Sequence, residues 1–371
     1  MLVRHSDNQL SVIINPTLRC NHDCPYCYHL QDDRHEDRVL DLDKLDRLFT
    51  ILAKRYNFLD IYWSGGEPSL LPVAYYRKAT KILKSYYHEE GAVRNYIYTN
   101  GEDVDRGYVR KLQKLGFKWT VSPVTEVGAW FEKHPEFDKE NVSVYSHVVT
   151  SDNFRELIND YKTLRVKVKN IKLRFIDPLG ESSIDSSHVP DYVLLAETMI
   201  ELFDIWVMDA NGPILDPLIG YLESVMSGEG RGICMNTECF GRFLSIVPNG
   251  NVYPCGKGCH DRYLLGNIQE VQSIEEIFGS RGMKVFMADY LRKAEGCTAC
   301  KYSCLCKGGC ILEINLNNEE LSGSARCYYH KKVFAHIEEF LERIRAKSID
   351  IKTLNPFIRD MFIRWLITYS G

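Results

Sequence analysis

The sequence predicts an α/β fold, a partial (β/α)6 barrel followed by a cysteine-rich region. Three observations predict it. Short apolar runs rich in β-branched and aromatic residues alternate with helix-period stretches from Ser11 to Ile176. Each run ends in Gly, Pro, Asn or Ser turn residues. Ten of the thirteen cysteines crowd between Cys234 and Cys327. Strand–helix units of this length imply parallel strands with right-handed crossovers; eight would close a barrel, and six leave it open.

The first strand is Ser11-Val12-Ile13-Ile14, and Cys20-Asn21-His22-Asp23-Cys24-Pro25-Tyr26-Cys27 lies on the loop leaving its C-terminal end. Three thiolates at C-x3-C-x2-C spacing can hold three irons of a 4Fe–4S cluster and leave the fourth open to a small molecule. A Cys3His zinc loop completed by His22 or His29 uses the same residues, and the loop alone does not decide. A polar loop, Gln31 to Arg38, follows. Leu42, Leu45, Leu48, Phe49 and Leu52 predict an amphipathic helix over 41–56, begun by Asp41.

Residues 59–63 are the second strand and run into Ser64-Gly65-Gly66-Glu67-Pro68. Two glycines let the backbone turn sharply and approach a ligand without a Cβ in the way; a plain strand-ending turn uses the same residues. A helix is expected from Pro72 to His88. The strand Tyr96-Ile97-Tyr98 ends in Thr99-Asn100-Gly101, and Val104–Leu115 reads as helix. Phe117–Val121 is a strand ended by Ser122-Pro123. Val142–Val149 is the next, with Asp152 expected to cap a helix reaching Leu164. The sixth strand, Ile171–Ile176, closes in Asp177-Pro178-Leu179-Gly180. Two helical patterns within 190–227 are separated by Asn211-Gly212-Pro213.

The cysteine-rich region reads Cys239-x10-Gly250-x4-Cys255, then Cys297-x2-Cys300-x5-Cys306-x3-Cys310, then Cys327. Phe243 to Pro254 is a hairpin around Asn249-Gly250, which brings the flanking cysteines together. The C-x2-C and C-x5-C loops are short enough to ligate one metal site unaided, and a pair of zinc ribbons uses such spacings too. A helix follows from Cys327 to Arg345. The last segment, Asn355 to Tyr369, carries a stripe of Phe357, Met361 and Trp365 expected to pack on the protein's own surface.

The chain has 371 residues and a net charge of −4, which argues against a nucleic-acid-binding surface. No apolar run approaches the roughly 18 residues of a membrane span. Met1–Gln9 is polar and lacks the apolar core of a signal peptide, so a cytoplasmic location is expected. In a reducing compartment thirteen cysteines, an odd number, read as metal ligands rather than a disulfide framework.

The C-x3-C-x-aromatic-C loop, with Tyr26 as its aromatic, resembles the signature of the radical S-adenosylmethionine (radical SAM) superfamily. The later cysteines and Gly250 match, position for position, the seven-cysteine pattern of the SPASM domain of enzymes that act on peptides and proteins. The resemblance implies a radical SAM barrel over 1–208, a helical bridge over 209–233, a SPASM domain over 234–330 and C-terminal helices over 331–371. It implies S-adenosylmethionine and three 4Fe–4S clusters, with Cys20, Cys24 and Cys27 holding the first. The open iron would chelate the methionine moiety, and reductive cleavage would give a 5′-deoxyadenosyl radical. Gly65-Gly66-Glu67-Pro68 is similar to the family's GGEP motif, whose backbone meets the methionine amino group. Tyr26, Asn100 and Ser122 match further cofactor positions, although Val124 stands where the family often has an Asp.

One auxiliary cluster would use Cys234, Cys239, Cys255 and Cys310, the other Cys297, Cys300, Cys306 and Cys327. Cys259 and Cys304 are left over. Cys259 is a candidate hydrogen donor, a substitute ligand for Cys234, or ordinary packing; Cys304 reads as packing. The function implied is hydrogen abstraction from a residue of a peptide or protein, giving a cross-link, thioether, epimerised or oxidised residue. An external electron donor of flavodoxin or ferredoxin type is implied. With few residues before the first strand, a leader peptide would need a separate binding protein or a surface of this chain. The alternative is an anaerobic sulfatase-maturing enzyme; those tend to carry an Asp after the second SPASM cysteine, where this chain has Gly256. A zinc-binding scaffold without catalysis is the alternative of another class.

Overall fold

The strand–helix alternation is present in a computed structural model of the chain, which describes residues 8–29, 37–176, 186–231, 239–313 and 325–369. Most of the loop from Gln31, the turn Asp177–Gly180 and Cys234 lie outside the described residues.

In chain order the barrel region runs β1 (Gln9–Thr17), α1 (Leu42–Leu52), β2 (Phe58–Gly65), α2 (Val73–Lys84), β3 (Val93–Thr99), α3 (Arg106–Lys114), β4 (Phe117–Val121) and α4 (Val127–Lys133). It continues β5 (Val142–Val149), α5 (Leu157–Lys167), β6 (Asn170–Phe175), α6 (Tyr192–Val207), β7 (Ile214–Asp216) and α7 (Leu218–Ser227). The cysteine-rich region holds β8 (Phe243–Ile246), β9 (Asn251–Tyr253), β10 (Gly266–Asn267), α8 (Ile274–Gly279), α9 (Arg281–Glu295) and α10 (Ser303–Cys306). Two helices end the chain, α11 (Ala325–Arg345) and α12 (Pro356–Tyr369).

The chain divides into two compact units, one from residues of 1–137 and 239–292, the other from residues of 138–180, 185–238 and 293–371. In the first the strand order is β10-β9-β8-β1-β2-β3-β4. Strands β8, β1, β2, β3 and β4 are mutually parallel, and β9 and β10 close the β8 side antiparallel. Leu10, Val12 and Ile14 of β1 are fully buried, as a strand between two neighbours requires. α1 covers the sheet with Leu45, Leu48, Phe49, Ile51 and Leu52. Asp105 caps α3, its Oδ1 accepting the Tyr108 N–H at 2.6 Å.

In the second unit β5, β6 and β7 are parallel. β7 joins the six expected parallel strands, and so does β8 beside β1. Three residues show too little alternation to read as a strand. Asp152 does not cap α5: it sits in a turn where its N–H donates to Thr150 Oγ1 at 3.2 Å, and Asn153 takes the Thr150 N–H at 2.8 Å. The local Thr and Asn side chains outcompete the helix there.

Candidate functional site

The cysteine loop leaves the C-terminal end of β1, where the register against β2 shifts between Ile14 and Thr17. Its turn is closed by the Cys27 N–H donating to Cys24 O at 3.1 Å, and the His22 N–H points at Cys20 Sγ at 3.4 Å. Burial pushes the Cys20 thiol up to about 11, with Glu67, Cys24 and Cys27 adding in the same direction. Cys24 and Cys27 act on the Cys20 thiol from within one short loop, and three thiols so grouped fit a 4Fe–4S cluster bound by all three. Tyr26 lies against Cys24 and Cys27, and burial raises its phenol.

The loop is pinned to the ends of β2 and β3. The Gly66 N–H donates to Thr17 O at 3.0 Å and the Glu67 N–H to Arg19 O at 2.8 Å. A Cβ on Gly66 would stand 2.2 Å from both Leu18 O and Arg19 O. Gly65 has φ of 108°, and a Cβ there would stand 2.5 Å from Thr17 O. The glycines are therefore required by the approach of two backbone segments, whatever else they meet.

Glu67 is 2% exposed and uses both carboxylate oxygens, Oε1 on the Ser69 N–H and Oε2 on the Asn100 N–H, each at 2.8 Å. Burial raises its pKa against those hydrogen bonds. Asn100 Nδ2 donates to Asn21 Oδ1 at 2.7 Å, and Asn21 Nδ2 donates to Asp103 Oδ2 at 2.7 Å. The Ser122 N–H, just past β4, donates to Thr99 O at 2.8 Å. The structure thus brings together Cys20, Tyr26, Gly65, Gly66, Glu67 and Asn100, with Ser122 one strand further. Asn21, Asp103 and Ser69 were missed by sequence reasoning. Asn21 stands at an unspecified position of the cysteine motif, and nothing local marks its partners.

The hairpin of β8 and β9 carries Cys239 before it and Cys255 after it. Gly250 closes its loop at φ 95°, while Asn249 stays out of the left-handed region. The Val247 N–H donates to Asn251 O at 3.1 Å, so the turn is a three-residue loop, 248–250, rather than a two-residue one. Cys259 Sγ lies 3.2 Å from Gly256 O and 3.7 Å from Ser245 Oγ. With Tyr28, His29, Arg38, Tyr253 and Lys257 it lines a cleft of about 150 Å³. A Cβ at Gly256 would meet Ile13 Cδ1 at 3.2 Å.

In the second unit Cys297 feels Cys327 and Cys300: burial raises its thiol, those two add, and Lys293 and Lys331 oppose them. The Cys300 N–H donates to Cys297 O at 3.0 Å. Cys306 ends α10, and Lys307 follows in the left-handed conformation, φ 49°. Cys304 is exposed. Cys239 and Cys255 belong to the first unit and Cys310 to the second.

Residues 14–125 match the radical SAM superfamily, and residues 234–304 match the iron–sulfur cluster-binding SPASM domain. A cysteine-type anaerobic sulfatase-maturating enzyme of Clostridium perfringens (strain 13) is 26% identical over 88% of this chain and 96% of its own. A serine-type enzyme of Klebsiella aerogenes is 22% identical over 92% of this chain and 85% of its own. Among solved structures, native anSMEcpe with bound AdoMet covers 92% of this chain and 100% of its own at a TM-score of 0.77 and 22% identity; that likeness is one of fold. The motifs, the mostly parallel sheet and the matched domains converge on one statement: the chain is a radical SAM enzyme whose barrel is followed by a SPASM domain.

Proposed function

We propose that the enzyme cleaves S-adenosylmethionine at the Cys20–Cys24–Cys27 loop and uses the 5′-deoxyadenosyl radical to take a hydrogen atom from a residue of a peptide or protein. The observation that carries this reading is the hydrogen-bonded join of the cysteine loop, the Gly65–Pro68 turn and Asn100. Cys20, Cys24 and Cys27 would hold a 4Fe–4S cluster, which when bound would supply the electron for reductive cleavage of S-adenosylmethionine. Tyr26, Gly65, Gly66, Asn100 and Ser122 would line the cofactor, and Glu67 fixes the turn. An external reductant of flavodoxin or ferredoxin type supplies the electron. Methionine leaves, and the radical ends as 5′-deoxyadenosine. In the seven-cysteine pattern Cys297, Cys300, Cys306 and Cys327 would hold a second cluster. Cys234, Cys239, Cys255 and Cys310 supply a third by sequence. A separate protein that presents a leader peptide is the remaining partner proposed.

Similarity to the sulfatase-maturating enzymes, over nearly their whole length, favours a peptide substrate and keeps a second reading, oxidation of Cys or Ser to formylglycine. Gly256 after Cys255 offers no carboxylate to accept the substrate proton, which is why hydrogen abstraction with another outcome stands first. Anaerobic incubation with S-adenosylmethionine, a reductant and either peptides encoded beside the gene or a cysteine-bearing sulfatase peptide tests both. Deoxyadenosine with a mass change in an encoded peptide is expected. An aldehyde on the sulfatase peptide would select the second reading, and no deoxyadenosine from iron-loaded enzyme would overturn both.

A further inference from the structure

We infer that His330 donates an N–H hydrogen bond to a sulfur of the cluster held by Cys297, Cys300, Cys306 and Cys327, and so sets that cluster's reduction potential. The inference rests on the proposed assignment of those four ligands. His330 is 4% exposed, and among the described residues neither Nδ1 nor Nε2 has a hydrogen-bond partner. In any protonation state an imidazole carries at least one N–H, and buried donors are nearly always satisfied.

The surroundings narrow the missing acceptor. Apolar and aromatic rings enclose His330: Tyr221 at 5.6 Å, Tyr329 at 5.2 Å and Phe334 at 6.0 Å between centroids. None of those faces accepts a strong hydrogen bond. Three of the four proposed ligands can be related to this pocket. Cys327 stands one turn before His330 on α11, on the same face. Tyr221, the ring at right angles to His330, feels the charge of Cys306. Lys293 acts on both His330 and Cys297. The sulfurs of a bound cluster are the acceptors that this arrangement lacks. An N–H aimed at a cluster sulfur stabilises the reduced, more negative state and raises the potential.

The test is a redox titration of the reconstituted full-length enzyme followed by electron paramagnetic resonance. The signal is assigned as the one that Cys300→Ala removes. In His330→Phe, with iron content unchanged, the reduction equilibrium of that signal should shift about tenfold toward the oxidised state, 59 mV for one electron. His330→Gln, which keeps an N–H donor, should restore most of the wild-type value. An unchanged potential in His330→Phe overturns the inference. Loss of that cluster's iron in both His330 variants overturns it too, by making the residue a ligand or an indispensable packing element. If instead Cys300→Ala loses no iron, the ligand assignment itself fails, an outcome independent of His330.

Discussion

At Gly66 the missing side chain serves the cysteine loop itself. The sequence showed two glycines before Glu67-Pro68 and suggested backbone approach to a ligand. The structure adds that a Cβ would run into Leu18 O and Arg19 O, two backbone atoms that cannot swing aside. Gly66→Ala should therefore displace the segment that leads into Cys20. Iron per chain should fall by about four in an otherwise folded protein, with deoxyadenosine formation lost. Full iron with normal cleavage would show that the loop tolerates the shift. Glu67 belongs to a turn expected to meet the cofactor through its backbone, and its side chain spends both oxygens on the Ser69 and Asn100 N–H groups. Glu67→Gln turns one end of that bridge into an amide donor facing a donor. A loss of about 1–3 kcal/mol in denaturant midpoint experiments is expected. The cysteine spacing was legible because it is local; the Asn21–Asn100 bond spans 79 residues and left no trace in the pattern.

Among elements, β4 and β5 begin and end where the apolar runs do, since Ser122-Pro123 and flanking polar residues punctuate them. α4 went unread: seven residues with Trp130 and Phe131 adjacent give no helical period, and its cap is Glu126, accepting from the Gly128 and Ala129 N–H groups. β8 was read only as half of a hairpin, because its parallel partner β1 lies far away in sequence. The cysteine loop is the element on which the proposed chemistry depends. Replacing Cys20, Cys24 and Cys27 together by Ala should take the enzyme from about 12 to about 8 irons. Cleavage of S-adenosylmethionine should stop. Deoxyadenosine from that variant would refute the assignment of the radical-forming site.

On the scale of the whole molecule, the parallel sheet was legible and the grouping of the chain was not. The boundaries at 208, 233 and 330 follow motif content, whereas packing joins Cys239–Arg292 to the first strands of the chain. Asp289 shows how that part is held: it is 2% exposed and takes Arg262 through two bonds at 2.9 Å, the Tyr263 hydroxyl at 3.0 Å, and Arg292. Burial pushes its pKa up, but these donors outweigh burial and hold it below the usual carboxylate value. The stability it contributes is therefore present above the unfolded carboxylate pKa and lost as pH falls through the lower folded one. Asp289→Ala should cost about 1–3 kcal/mol at neutral pH and flatten the acid limb of a stability profile. The pairing of Ser11, Val12, Ile13 and Ile14 with Phe243–Ile246 has a temporal meaning too. On the ribosome β1 emerges long before β8, and until then one side of the strand is an open row of amides and carbonyls beside fully buried apolar side chains. Such an edge recruits other strands. A chain stopped at residue 238 should therefore self-associate more than the full chain in sedimentation, and synthesis of the iron–sulfur region doubles as the step that seals the growing sheet.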